Sequence, residues 1–573
     1  MSLSPIPYLP FAANPSEWES FRPHYDRLLE QPLTPDTIDA WLQEWSELSK
    51  VITEVGSVTY IETTLDTTDT DKEKAFLAFI ENVEPQQSVA DQALKERLIA
   101  YTAEYGPLDG QMALPLRNIR NQASLFRNEN VALATELAKL GNEYDKITGG
   151  MTFDWDGEEK NLNQLNTLTL DKDRSVRQRA WEAIMGLWAE QREVLNELYG
   201  KMLAIRQQVA ENADLPNFRA YTFLNYNRFD YTPEDCLVFH EAIEKVVVPA
   251  ATRIYERKQR ELGVDTLRPW DLEVETSDAP SLTPYQGQDA LIQGSLDIFE
   301  HVDASLARYF ATMAEDGLLD LDTRTGKALG GYCTTLPLRE RPFIFMNGDG
   351  THDDVQTMLH EAGHAFHAFE SFALPLIWMA DVPMEFAEVA SMSMELLSAP
   401  YLTKDFNGFY TEAEAARARR QHLSSILTFL PYMAVVDAFQ HWVYTHPNQA
   451  SDPAECDVAW DDLWNRFMPG VDWSGFEDAR TSGWHRKLHI FHVPFYYVEY
   501  GMAQVGALQV WRNALSNQEQ AVADYRSALA LGGTEPLPDL FAAAGAEFRF
   551  DEAMLTDLVA LIERTITELD QVA

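Results

Sequence analysis

Apolar residues recur at three- and four-residue spacing through most of this chain, and that period limits what it can fold into. Residues 175–208 (SVRQRAWEAIMGLWAEQREVLNELYGKMLAIRQQ) set Val, Trp, Ile, Leu and Met at such spacing among Glu, Gln and Arg, which lines them along one face of a helix. The same pattern fills residues 37–55, 71–102, 124–146, 233–262, 288–317 and 551–572, and stripes of this kind face a core. Strand signals are few. Residues 151–162 (MTFDWDGEEKNL) alternate about Asp156-Gly157 and predict a hairpin. Residues 342–346 (PFIFM), ending at Asn347-Gly348, predict a short strand. Pro and Gly punctuation places loops at 265–286 and 329–351, and no internal repeat or low-complexity tract interrupts the pattern. The expectation is a mainly α protein with a small β element. Helix follows helix without a linker, so the division into an N-terminal helical region, 1–200, and a larger one, 201–573, is soft.

At 573 residues the chain is too long for one ordinary core. With 46% hydrophobic residues it buries a substantial one. Asp plus Glu number 90 against 45 Lys plus Arg, a net charge of −45. Such a surface repels phosphate backbones and anionic lipid, which argues against nucleic-acid and membrane partners. Cys236, Cys333 and Cys456 are far apart and odd in number, so neither a disulfide framework nor a thiolate zinc site is expected. The opening MSLSPIPYLPFAANPSEWES lacks the basic and apolar regions of a secretory signal. No uninterrupted apolar run approaches the ~18 residues of a membrane span. The expected location is the cytoplasm.

One segment carries chemistry. Residues 358–370 read MLHEAGHAFHAFE and contain His360-Glu361-Ala362-Gly363-His364. On a helix, residues four apart lie one above the other, so His360 and His364 can hold one ion, and imidazole pairs suit zinc. Glu361, beside the first histidine, can reach a water on that ion. A catalytic zinc takes a third protein ligand and leaves one position open. His367 is one candidate. The metzincin pattern fails, because its later Gly and His positions hold His367 and Glu370. The other candidates are carboxylates of residues 381–397 (DVPMEFAEVASMSMELL), where Glu385, Glu388 and Glu395 share a face of an otherwise apolar helix. Carboxylates there are costly to bury without a cation or donor.

With these residues in place, the chain resembles the M3 family of zinc peptidases, most closely its oligoendopeptidase F branch. Residues 360–367 (HEAGHAFH) resemble the family's HExGHxxH. In residues 386–391 (FAEVAS) the family's zinc-ligating glutamate falls on Glu388. Residues 330–354 resemble its glycine loop followed by a substrate-lining strand, and residues 489–500 (HIFHVPFYYVEY) its late His and Tyr segment. The likeness in order and spacing runs from about residue 150 onward. Two departures stand out: Ile490-Phe491 replaces an aromatic pair, and Gly501-Met502-Ala503 stands where the family tends towards Ala-Thr-Gly.

The resemblance implies two mostly helical lobes around a deep substrate channel, with one Zn²⁺ per chain at its floor and a small β element next to the zinc helix. It implies His360, His364 and Glu388 as ligands and His367 as a non-ligand. Glu395 then accepts a hydrogen bond from a ligating imidazole. The activity implied is endopeptidase cleavage of short unfolded peptides by water activated on the zinc. Glu361 moves the proton, and Tyr496 and Tyr500, with His489 nearby, donate to the oxyanion. Residues 342–346 are expected to offer a strand edge to the peptide main chain. Three alternatives stay open: a helical metallocarboxypeptidase or dipeptidase, a silent peptide-binding protein on the same scaffold, and a non-peptidase iron site of two histidines and a carboxylate.

Overall fold

The computed structural model describes residues 17–572, apart from 109, 277–279, 325 and 329. The opening segment read for a leader, residues 1–16, lies outside the described residues. The elements are helices with two small sheets. Most periodic stretches form helices but divide where a local signal breaks them. Residues 175–208 split at Gln191 into Arg174–Glu190 and α2, Arg192–Asn212. Residues 71–102 split before Pro85, and residues 288–317 split at Asp303, whose carboxylate caps the second helix. Helix α1, Ile38–Leu65, runs ten residues beyond its expected end at 55. Residue 200 lies inside α2, and Leu195, Leu198 and Met202 of α2 enter the main core.

That main core gathers apolar side chains from Ile61 to Leu569. A second core joins Phe21, Trp41, Trp45, Leu94, Leu98 and Leu116, and is closed by Leu376 and Met379 from far along the chain. Trp45 meets Trp378 with ring centroids 4.3 Å apart. The N-terminal helices are thereby pinned to the segment between the two helices that carry the metal-ligand candidates. Those are α3, His352–Ser371, and α4, Met384–Ser398.

Helix α5, Glu412–Thr445, has 34 residues and is long and apolar enough to cross a membrane, but 67% of its apolar window is buried inside the protein. Its apolar content serves the core. The sequence reading misses this stretch because polar residues and Pro431 interrupt the run. Helix α6 is Tyr497–Ala514.

The expected hairpin forms as β1, Thr152–Trp155, and β2, Glu158–Asn161, with Asp156 and Gly157 at φ 58° and 89°. Positive φ at both turn residues is what a tight hairpin of this twist requires. The second sheet has three strands in the order β3-β5-β4, where β3 is Leu319–Asp322, β4 Tyr332–Leu336 and β5 Arg341–Gly348. β5 contains the expected strand 342–346, but it is central. It pairs in parallel with β3 (Leu319 opposite Ile344) and antiparallel with β4 (Cys333 opposite Ile344). Its main chain has no edge left to offer. The edges belong to β3 and to β4, and β4 lies in a stretch expected to be loop. YCTTL lacks a strong apolar alternation and follows two glycines, so nothing local marks it as a strand.

Candidate metal centre and active site

The start of α3 is fixed by a capping box. Thr351 Oγ1 accepts from the Asp354 amide and Asp354 Oδ2 accepts from the Thr351 amide at 2.7 Å. Two turns on, the His360 and His364 rings sit one above the other, centroids 5.0 Å apart. Gly363, between them, lets α4 approach. A Cβ there would lie 2.5 Å from Ser391 Cα and 2.7 Å from the Ala390 carbonyl.

This close packing brings Glu388 of α4 under the imidazoles. Glu388 Oε2 lies 3.4 Å from His360 Nε2 and 3.6 Å from His364 Nε2. One donor atom from each of the three residues falls within 4.8 Å of the others. Glu388 also accepts from Tyr496 Oη at 2.8 Å and from Ser391 Oγ at 3.1 Å.

Glu395, two turns beyond Glu388, accepts from His360 Nδ1 at 2.7 Å. That bond leaves Nε2 as the lone-pair nitrogen aimed at the donor set. Glu395 Oε2 in turn lies 2.8 Å from Nε2 of His422, a residue of α5 that the sequence reading missed. No local signal could have found His422, which follows Arg419-Arg420-Gln421 and reads as part of a polar face. His422→Ala should weaken metal affinity by ~10–100-fold by freeing Glu395. Metal titration against a competing chelator checks this.

Glu385 does not join its two neighbours in sequence pattern. Three residues on a helix fall about 60° short of a full turn, whereas seven come back within about 20°. The Glu385 carboxylate turns instead to Tyr231 Oη at 2.5 Å and Arg228 Nε at 3.4 Å. His367 is buried against Phe386, outside the three-residue donor set.

Burial dominates the electrostatics. It pushes the Glu361 carboxyl up to about 7, against the pull of His360 and with the help of Glu388 and Glu395. Burial opposes the charge on Glu388, but the histidine rings and the Tyr496 hydroxyl hold it down at about 2. Glu395 is likewise held at about 2 by its bonds to His360 and His422, against burial. Two neighbouring acids are thus pushed in opposite directions by their surroundings.

A cavity of about 430 Å³ opens over these groups. Tyr332, Cys333 and Thr335 of the β4 edge, with Gly331 just before it, line one side, and His360, Glu361, His364 and Glu388 the floor. Tyr496 and Tyr500 line the wall, with ring centroids 5.2 Å apart. His489 is not on the wall. It packs behind the tyrosines, 6.0 Å from Tyr496 and 5.8 Å from Tyr500 between centroids, and burial lowers it to about 3. Phe491 is stacked on Tyr144 at 4.3 Å in the core. Gly501 is where α6 meets Met433, whose Cε would lie 2.3 Å from an added Cβ.

A second donor set, Cys236, Asp437 and His441, is fully buried among the described residues. Arg219 donates towards His441 Nδ1 at 3.3 Å, which leaves Nε2 as an N–H facing Asp437 at 3.2 Å. His240 Nε2 reaches the same carboxylate at 3.0 Å. This set is a buried carboxylate faced by two histidine ring nitrogens.

The family model for peptidase family M3 matches residues 167–559. The group B oligopeptidase PepB of Streptococcus agalactiae is 26% identical over 44% of this chain and 40% of its own length. The chromosomal oligoendopeptidase F of Lactococcus lactis subsp. cremoris is 26% identical over 44% and 41%. The matched stretch thus spans about two fifths of these relatives. Among solved structures, PZ peptidase A with an inhibitor superposes at a TM-score of 0.89, with 28% identity over 97% of this chain and 98% of that one. The match takes in the donor helices, the β4 edge and the tyrosine wall together, and the chain belongs to peptidase family M3.

Proposed function

We propose that this protein is a zinc-dependent oligoendopeptidase that hydrolyses short, unfolded peptides. The observation that carries the reading is the convergence of two imidazoles and one carboxylate under a cavity that also holds Glu361 and two tyrosines. The donor set fits zinc: two imidazole nitrogens, one of them oriented by a carboxylate, and one carboxylate oxygen. His360, His364 and Glu388 would hold the ion. When bound there, zinc supplies Lewis-acid polarisation and makes water acidic enough to lose a proton near neutral pH.

The chain's own groups do the rest. The β4 edge offers main-chain hydrogen bonds to an extended peptide, which gives affinity without reading side chains. A Glu361 carboxylate oxygen takes a proton from the attacking water and returns it to the leaving amine. Tyr496 or Tyr500 donates a hydrogen bond from its phenol O–H to the oxygen of the scissile carbonyl as charge develops there. A cytoplasmic setting accompanies this reading, on the three unpaired cysteines.

Mass spectrometry of products from a mixed peptide library, with and without chelator, tests the proposal. Internal cleavage of short peptides, lost with the metal and restored by zinc, is expected. Release of single terminal residues, or no products, refutes it.

Tyr→Phe at 496 and 500 removes one hydroxyl and little volume. The true donor should lose ~100–1000-fold in kcat with KM little changed. Steady-state kinetics on both metal-loaded variants identifies it.

A further inference from the structure

Behind the tyrosine wall lies one buried guanidinium with three anchor points. Arg228 NH2 donates to the Phe495 carbonyl at 2.7 Å and to Glu499 Oε1 at 2.6 Å, and its Nε lies 3.4 Å from Glu385 Oε1. All three side chains are 3% exposed or less. Phe223, Tyr226 and Tyr231 stack around the guanidinium at 4.9, 5.0 and 5.6 Å. Two carboxylates share one cation here. Burial lifts Glu499 well above the usual carboxylate range, against the pull of Arg228.

Each anchor adjoins the site. Glu385 lies one turn before Glu388 on α4. Glu499 lies on α6 between Tyr496 and Tyr500. Phe495 immediately precedes Tyr496 and is held at φ 67°, a left-handed conformation that is sterically unfavourable for a residue with a Cβ. Such a conformation persists only where its surroundings over-determine it. Here they do. The Phe495 amide donates to Gln440 Oε1 at 2.7 Å, and its carbonyl accepts from Arg228. The backbone is gripped on both sides at the step that starts the tyrosine helix, and Tyr496 then reaches Glu388 at 2.8 Å.

We propose that Arg228 is a positioning residue. It locks Phe495 and ties α4 to α6, so that the phenols of Tyr496 and Tyr500 are set against the donor set before substrate arrives. The inference rests on the oligopeptidase reading for its kinetic consequence and on geometry alone for its structural one.

A double-mutant cycle tests the first. Arg228→Met should lower kcat by about 10- to 100-fold, the cost of misplacing a reacting group by ~1 Å, with metal content retained and KM little changed. In whichever of the Tyr496→Phe and Tyr500→Phe backgrounds lacks the donor, the same change should cost no more than about twofold, the scatter of independent sites. A full, multiplicative loss in both backgrounds would mean a merely structural ion pair and overturn the proposal. Should Arg228→Met fail to fold, Arg228→Lys serves, because one ammonium cannot span Phe495, Glu499 and Glu385.

The second test needs no turnover. With 3-fluorotyrosine at position 496 of the full chain, the ¹⁹F resonance should shift or broaden in Arg228→Lys. An unchanged resonance overturns the positioning role. Absence of hydrolysis by the wild-type protein would instead refute the function.

Discussion

Glu361→Gln is expected to keep its metal and lose ~10²–10⁴-fold in kcat, the range a positioned general base contributes. Glutamine fills the same volume on α3, so fold and metal site should survive. It cannot take a proton. The carboxyl is buried beside two further glutamates, and that setting lifts it to about 7, where it can both accept and release a proton in one cycle. Metal analysis and peptide kinetics on the same preparation give the result. Near-normal hydrolysis by a metal-loaded variant would remove Glu361 from the mechanism.

Glu388→Ala should abolish metal retention and with it activity. The loss in affinity should exceed the ~10–100-fold that an outer partner such as His422 gives, because an oxygen facing both imidazoles is removed outright. Glu385→Gln and His367→Ala are the controls. Glu385 is engaged with Tyr231 and Arg228, and His367 lies outside the donor set, so both variants should bind metal as the wild type does. Zinc content after dialysis against a weak chelator separates the three. Retention by Glu388→Ala with loss in His367→Ala would reassign the third ligand.

Much of the site is legible because helices translate spacing into direction. His360 and His364 are four apart, Glu388 and Glu395 seven apart, and each pair falls on one face by helical period alone. The hairpin at Asp156-Gly157 is legible for a similar reason, since those residue types accept positive φ. Where spacing is ambiguous the reading blurs. Glu385 shares the pattern, yet its rotation of about 60° from Glu388 sends it to a different partner. The M3 resemblance, not the residues alone, picks Glu388 from that trio.

The chain's own order of residues therefore determines its helices, the histidine pair on α3 and the acid between them, since each is a matter of neighbours within a few turns. Tertiary structure decides which strands have a free edge, because pairing joins β3 and β4 to the two sides of β5 and leaves β5 with none; of the two outer strands, it is β4 that lines the cavity. It brings His422 to Glu395, and Arg228 to Phe495, Glu499 and Glu385, across separations of 27, 267, 271 and 157 residues. No local period encodes such meetings. They exist only once the cores have closed and burial has left each charged group with one set of partners to satisfy it.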